Sequence, residues 1–175
     1  MMHTHVLIYD GYVSFEIMLA TYLMKTKGDI VTVGLTREPV RTYEDLLVMP
    51  STSLEDIDAA EIDLLIIPGG DISGLLEHTH LAALVQALDA QERFIAAICS
   101  ATDLLQHYGM LEDRYAVTNA ATHIDDLVRV DRNLITARAN GYADFAIELG
   151  RMLNIYKDEA DLEETIQYFK YHRNG

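Results

Sequence analysis

Apolar and polar positions alternate along the chain in a way that predicts strands and helices in turn. Short apolar runs bounded by turn residues are typical of strands, whereas apolar residues recurring every three or four positions are typical of helices. The run at residues 62–67 is almost continuously apolar, as expected for a parallel strand covered on both faces. Five core strands are predicted, at residues 6–9, 30–35, 62–70, 94–98 and 133–137.

The segments between these strands predict helices and a few smaller elements. Ser14 is the expected N-cap of the first helix, whose apolar residues fall at positions 15, 18, 19, 22 and 23. The second helix is predicted at residues 79–92, with Leu81, Leu84, Val85 and Leu88 on one face. Further helices are predicted at residues 100–108 and about 142–153. Residues 40–50 predict a hairpin, and residues 116–118 and 127–130 predict short antiparallel additions.

The alternation predicts a mostly parallel sheet with helices on both faces, a flavodoxin-like three-layer sandwich with strand order 2-1-3-4-5. Residues 1–175 are expected to form a single domain, extended by an amphipathic helix at residues 158–172. In such folds ligands bind beyond the carboxyl ends of the strands. The segments to examine are therefore residues 10–16, 69–71, 99–100 and 138–142.

Cys99 lies where the fourth predicted strand passes into a helix. The sequence Ala97-Ile98-Cys99-Ser100-Ala101 resembles a nucleophile elbow, in which small residues flank a reactive side chain on a sharp turn. A helix N-terminus favours a thiolate, so we expect a lowered pKa for this thiol. The alternative is that Cys99 is a small buried apolar residue.

Two further features lie at the same predicted sheet edge. Glu16 follows the first strand among apolar neighbours, so its carboxyl is expected to be buried, to have a raised pKa, and to donate a hydrogen bond to sulfur. The alternative is an acid that favours a helix start. The N–H groups of Gly70 and Ser100 are candidates for an oxyanion hole, although Gly69-Gly70 is also compatible with an ordinary turn.

These pieces together resemble the ThiJ/PfpI family of the class I glutamine amidotransferase-like superfamily, which includes protease and amidase types. The likeness covers most of residues 5–154 and rests on Glu16, Pro68-Gly69-Gly70 and the segment 95–99, with weaker matches at 53–56 and 132–137. The resemblance implies a flavodoxin-like homodimer. It also implies that Cys99 is the reactive thiol, Glu16 its protonated partner, and Gly70 and Ser100 the oxyanion donors.

The chain departs from this family pattern in two places. Protease-like members carry a histidine directly after the cysteine, where this chain has Ser100, and the loop at residues 138–141 also differs. Proteolysis is therefore not expected. His123 is a candidate third group, because some relatives have an active-site histidine in that region; the alternative is a histidine on a surface loop.

Composition narrows the possible partners and location. The chain of 175 residues has a formal net charge of −15, which disfavours nucleic acid and anionic membranes as partners. Its single cysteine excludes an intrachain disulfide, and the histidines show no metal-ligand spacing, so neither a metal nor a cofactor is expected. No start typical of a signal peptide is present, which predicts a cytoplasmic protein.

Three functions compete at the level of sequence. The first is a cysteine-dependent enzyme acting on a small carbonyl, amide or nitrile-like molecule, such as a hydrolase, a hydratase or a glyoxalase/deglycase. The second is a redox or stress sensor whose Cys99 oxidises to sulfinic acid while Glu16 hydrogen-bonds the product. The third is a non-catalytic dimeric family member that binds a partner.

Overall fold

The computed structural model describes residues 1–121 and 124–174. Within these residues, strands and helices alternate as the apolar pattern predicts. The strands are β1 (Met2–Ile8), β2 (Gly28–Gly34), β3 (Val40–Arg41), β4 (Leu47–Val48), β5 (Thr52–Ser53), β6 (Leu64–Ile67), β7 (Phe94–Ile98), β8 (Val128–Asp131) and β9 (Leu134–Ala137). The helices are α1 (Phe15–Met24), α2 (Thr79–Ala90), α3 (Ser100–His107), α4 (Tyr142–Met152) and α5 (Glu159–Phe169).

Seven strands form the main sheet, in the order β5-β2-β1-β6-β7-β9-β8. Its five central strands are mutually parallel and follow the predicted order 2-1-3-4-5, with β8 added antiparallel to β9 at one edge. The flavodoxin-like α/β fold is thereby confirmed. The carboxyl ends of β1, β6, β7 and β9 lie at one edge of this sheet, where the candidate residues follow them.

Both faces of the sheet are covered by other elements. Successive residues of a strand point to opposite faces, yet all four residues of β6 are fully buried. Helices α1 and α4 pack against each other, whereas α2 and α3 each pack on β7. The predicted apolar face of α2 is confirmed as its buried face. The strand ends are thus held by a core that leaves their backbones little freedom.

Helix α1 forms where it was predicted but buries a different side. Phe15, Met18 and Tyr22, three of the apolar residues whose spacing indicated the helix, are more than half exposed. Glu16 lies among the buried residues instead, beside Ile17, Ala20, Leu23 and Met24. The helical spacing alone therefore located the helix without revealing which of its sides faces the core.

The N-terminus of α1 is capped in a way that differs from the prediction. Among the described residues, the carboxylate of Glu44, not the Ser14 side chain, accepts the first N–H groups, from Ser14 and Phe15 at 3.1 Å each. Glu44 lies in the turn between β3 and β4, which form the predicted hairpin. The hairpin therefore fastens the start of α1.

The predicted additions near the far edge are half correct. Residues 127–130 were predicted as an antiparallel strand, and β8 confirms it. Residues 116–118 were predicted as another, but they form an irregular segment in which the Val117 N–H donates to the Thr136 side chain at 2.9 Å. No helix in the described part of the chain is long and apolar enough to cross a membrane.

Candidate functional site

Cys99 stands at a sharp turn between β7 and α3. Its backbone has φ +58° and ψ −133°, a conformation that residues other than glycine rarely adopt, and its N–H donates to the Ala137 carbonyl of β9 at 2.9 Å. Ala97 and Ala101 are fully buried on either side of the turn. Since larger side chains would find no space there, the small residues of the predicted elbow are explained by packing.

Glu16 meets Cys99 at a glycine. Glu16 as a residue is only 3% exposed, and its Oε2 accepts a hydrogen bond from the Gly69 N–H at 2.9 Å. A Cβ atom added to Gly69 would lie 2.5 Å from Cys99 Cβ, 3.0 Å from Cys99 Sγ and 2.8 Å from Glu16 Oε2. The carboxyl and the thiol therefore flank the same glycine, within hydrogen-bonding reach of each other.

The protonation of this pair is set by burial. Burial raises the pKa of Glu16, against the opposing hydrogen bonds from the thiol and the Gly69 N–H. Burial and the neighbouring Glu16 charge raise the pKa of Cys99 to about 11. The lowered thiol pKa expected from the helix N-terminus is therefore wrong. A thiolate forms most readily when Glu16 is protonated, since the carboxyl then donates a hydrogen bond instead of repelling the sulfur.

Gly70 and Ser100 lie beside the thiol, and they bond to each other. The Gly70 N–H donates to Ser100 Oγ at 2.9 Å, while the Ser100 hydroxyl donates to the Gly70 carbonyl at 2.8 Å. Both the N–H and the hydroxyl of Ser100 also act on Cys99, lowering the pKa of its thiol against the stronger effect of burial. The Ser100 N–H thus faces the sulfur, whereas the Gly70 N–H is engaged by the Ser100 side chain.

Two residues at this site carry no signal in the sequence. The Tyr9 hydroxyl, whose pKa is raised by burial, donates to the Pro68 carbonyl at 2.8 Å and supports the turn that carries Gly69. The charge of Glu44 contributes to the raised pKa of Glu16, after burial. Tyr9 ends an ordinary apolar run, and Glu44 lies in a polar turn far along the chain, so no local pattern distinguishes either residue.

Two further candidates from the sequence are His123 and the loop after β9. His123 lies outside the described residues. Arg138, in the loop after β9, donates to the carbonyls of Ala121 and Ile124, the latter at 2.8 Å. Within residues 1–121 and 124–174, no group of three or more His, Cys, Asp and Glu side chains is arranged to hold a metal ion.

Comparison with known proteins identifies relatives of this chain. The model of the DJ-1/PfpI family matches residues 2–152. The chain is 29% identical over 164 residues to a Bacillus subtilis (strain 168) protein named uncharacterized protease YoaZ, covering 83% of this chain and 77% of that protein. It is 26% identical over 144 residues to the glutathione-independent glyoxalase DJR-1.2 of Caenorhabditis elegans, covering 76% and 77%.

Solved structures share the fold as well. The crystal structure of the DJ-1 superfamily protein Atu0886 from Agrobacterium tumefaciens superposes with a TM-score of 0.84 at 25% identity. The superposition covers 99% of this chain and 100% of that one. Because the family model spans most of the chain, this protein belongs to the DJ-1/PfpI family, which confirms the resemblance found in its sequence.

Proposed function

We propose that this protein is a Cys99-dependent enzyme that acts on a small carbonyl compound, with Glu16 as the group that moves the proton. The observation that carries the proposal is the convergence of the thiol and a buried carboxyl on Gly69. A thiol on a strained turn is a suitable nucleophile, and a carboxyl with a raised pKa is a suitable acid near neutral pH. Similarity to a glyoxalase supports an α-oxoaldehyde as substrate.

In the proposed reaction, the Cys99 sulfur bonds to the aldehyde carbon while the thiol proton passes through Glu16 to the aldehyde oxygen. Glu16 then removes the hydrogen from that carbon as a proton while the ketone oxygen gains a proton from the solvent, which gives an enediol. The second carbon takes the proton back from Glu16 while the hydroxyl on the first carbon loses its proton to the solvent. This internal redox step oxidises the first carbon and reduces the second, leaving a thioester of a 2-hydroxy acid. Water hydrolyses the thioester and restores the thiol, so no external oxidant or reductant is needed.

The experiment is a substrate panel run with matched variants. Consumption of methylglyoxal, a simple amide and an isonitrile would be followed for the native protein, Cys99→Ser and Glu16→Gln. We expect methylglyoxal turnover to be lost in Cys99→Ser and to fall about 100-fold or more in Glu16→Gln, the order of a lost proton-transfer group. If the protein consumes the amide or the isonitrile but not methylglyoxal, Cys99 remains the proposed nucleophile and the proposed substrate class is wrong.

One control variant and two contrary outcomes complete the test. Ser73→Ala removes an exposed serine that bonds Asp71 in the loop after Gly70, so it is expected to leave turnover unchanged. Turnover that survives Cys99→Ser would refute the mechanism outright. Unchanged turnover in Glu16→Gln would show that another group carries the proton.

A second candidate function is redox sensing, favoured by the donors that surround the sulfur. The Ser100 N–H and hydroxyl both act on Cys99, and Glu16, when protonated, would supply a third donor to hold sulfinate oxygens. One peroxide would oxidise the thiolate to sulfenate with release of water, and a second would yield sulfinate. Intact-mass spectrometry after mild peroxide should then show two added oxygens in the native protein and none in Cys99→Ala; failure of the native protein to gain them contradicts this function.

We also propose that the protein forms a homodimer through a surface that we call the α1 face. It consists of Phe15, Met18 and Tyr22 on α1, with Tyr142 of α4 and Phe169 of α5. The Phe15 and Tyr142 rings meet edge-on with centroids 5.6 Å apart, and Tyr22 and Phe169 meet similarly at 5.8 Å. None of these five side chains is charged, which limits the repulsion between two acidic copies that meet here.

A further inference from the structure

The Ser100 hydroxyl is placed between the reacting sulfur and the Gly70 peptide. Its oxygen accepts the Gly70 N–H at 2.9 Å, and its single proton goes to the Gly70 carbonyl at 2.8 Å. The same side chain follows Cys99 directly, at the first position of α3, and is within reach of the sulfur. A single hydroxyl proton thus has two acceptors within reach, the Gly70 carbonyl and Cys99 Sγ.

The relative strength of these two hydrogen-bond acceptors depends on whether the sulfur is a thiol or a thiolate. A neutral thiol is a weak acceptor, so the proton belongs on the Gly70 carbonyl. A thiolate, or an oxyanion formed on a carbon bound to sulfur, accepts a charge-assisted hydrogen bond that is about twice as strong as a neutral one. Turning the proton about the Cβ–Oγ bond redirects the hydroxyl without moving a heavy atom, while the Gly70 N–H remains bonded to the oxygen and polarises it.

We propose that the Ser100 hydroxyl is the second donor to the anion formed at Cys99, and that it relays the Gly70 N–H to that anion. This inference rests on the proposed function, because it assigns a role within the same reaction. The Ser100 N–H is the first donor. The Gly70 N–H acts through the hydroxyl rather than directly, which differs from the pair of backbone donors expected from the sequence.

A purely structural role for this hydroxyl would duplicate bonds that the turn already has. The Val13 N–H donates to the Gly69 carbonyl at 2.9 Å, and the Asp71 N–H donates to the Gly11 carbonyl at 3.2 Å. On the other side, the Thr102 hydroxyl donates to the Cys99 carbonyl at 2.6 Å and secures the start of α3. The turn and the helix are therefore both fastened independently of Ser100.

The experiment compares side chains of equal shape with and without a hydroxyl. Ser100→Thr and Ser100→Val form the matched pair, Ser100→Ala is the minimal deletion, and Ser73→Ala is the control. Iodoacetamide alkylation of Cys99, the single cysteine, is followed by intact mass across a pH series, and the melting temperature is recorded in parallel. We expect Ser100→Ala and Ser100→Val to be alkylated about tenfold more slowly below the thiol pKa, the worth of one hydrogen bond to a charged group.

The retained hydroxyl of Ser100→Thr should keep the alkylation rate within about twofold of the native rate, as should Ser73→Ala. Faster alkylation in Ser100→Ala would overturn the proposal, because it would mean that the freed Gly70 N–H serves the anion directly. Equal rates for the threonine and valine variants, with only the melting temperature changed, would reduce Ser100 to a structural clamp. If methylglyoxal is not consumed but the threonine–valine difference persists, the proposed function fails while the role of the hydroxyl stands.

Discussion

Glu16 is the residue whose protonation couples the site to stability. Its pKa is raised by burial above the ordinary glutamate value of 4.5. A group with a raised pKa in the folded state lends stability that is complete below its unfolded pKa and is lost as the pH rises through the folded pKa. Near neutral pH the native protein therefore lacks stability that the neutral carboxyl gives it in acid.

Glu16→Gln should therefore melt at a higher temperature than the native protein near neutral pH. The amide keeps an acceptor for the Gly69 N–H and mimics the protonated acid, so the gain is expected to be about 3 °C, corresponding to ~1 kcal/mol in a chain of this size. The gain should vanish in acid, where the native carboxyl is already neutral. Melting curves over a pH series, followed by circular dichroism, test this.

The exposed residue Glu38 provides the control for this prediction. Glu38→Gln removes the same charge where no burial opposes it, so its melting temperature should follow the native curve at every pH. A Glu16→Gln variant that melts lower than the native protein near neutral pH would show that the ionised carboxylate is stabilised by its neighbours. That outcome would remove Glu16 as a proton donor.

The chemistry of individual residues could be predicted from the sequence only in part. Cys99 and Glu16 follow strands whose carboxyl ends must meet, so topology alone brings them to one edge of the sheet. The raised pKa of Cys99 could not be predicted, because it depends on burial and on the charge of a residue 83 positions earlier. The bond between Ser100 and Gly70 is equally invisible in the sequence, since it depends on the turn geometry.

At the scale of elements, the hairpin of β3 and β4 serves α1. The Glu44 carboxylate in its turn accepts the N–H groups of Ser14 and Phe15, which have no partner within the helix. Slight burial opposes this charge, but these two N–H groups, together with the N–H of Glu44 itself and the Thr42 hydroxyl, outweigh burial and lower the pKa of Glu44. The stability gained is therefore present above the ordinary pKa and is lost as the pH falls through the lowered one.

Glu44→Ala should destabilise the protein by about 1 kcal/mol near neutral pH, the usual cost of a lost helix cap. Urea denaturation, with Glu38→Ala as a control at an exposed site, measures the difference. The loss should shrink in acid, the opposite trend to that of Glu16→Gln. Equal stabilities of Glu44→Ala and Glu38→Ala would show that the hairpin does not hold the start of α1.

The elements themselves were largely predictable, and α1 shows where such prediction ends. In strand β6 and helix α2, the apolar residues of the sequence pattern are the ones that are buried, so pattern and structure agree. Helix α1 has apolar residues on two sides and a carboxyl between them. Its orientation depends on which apolar side packs against α4 and the sheet. Because the sequence pattern of α1 has no polar face, it does not predict which side is buried.

At the scale of the whole molecule, the exposed apolar residues are concentrated near α1. A stable interface needs about 800 Å² from each partner, more than the five side chains of the α1 face supply in their partly buried state. The hairpin next to the start of α1 offers the rest. Its exposed apolar residues are Tyr43, Leu46, Leu47 and Met49. A second copy placed over the α1 face and the hairpin would cover this entire apolar region.

Placing a charge in the centre of the α1 face should therefore separate the copies. Met18 is 59% exposed and lies between Phe15 and Tyr22, so Met18→Glu adds a carboxylate at the centre without disturbing the core. By light scattering after size exclusion, the native protein should have twice the 19.7 kDa mass of the chain, and Met18→Glu the mass of one. Val130→Glu, on the edge strand β8, should remain dimeric. A Met18→Glu variant that stays dimeric would show that the interface lies elsewhere. A monomeric native protein would contradict the proposed homodimer itself.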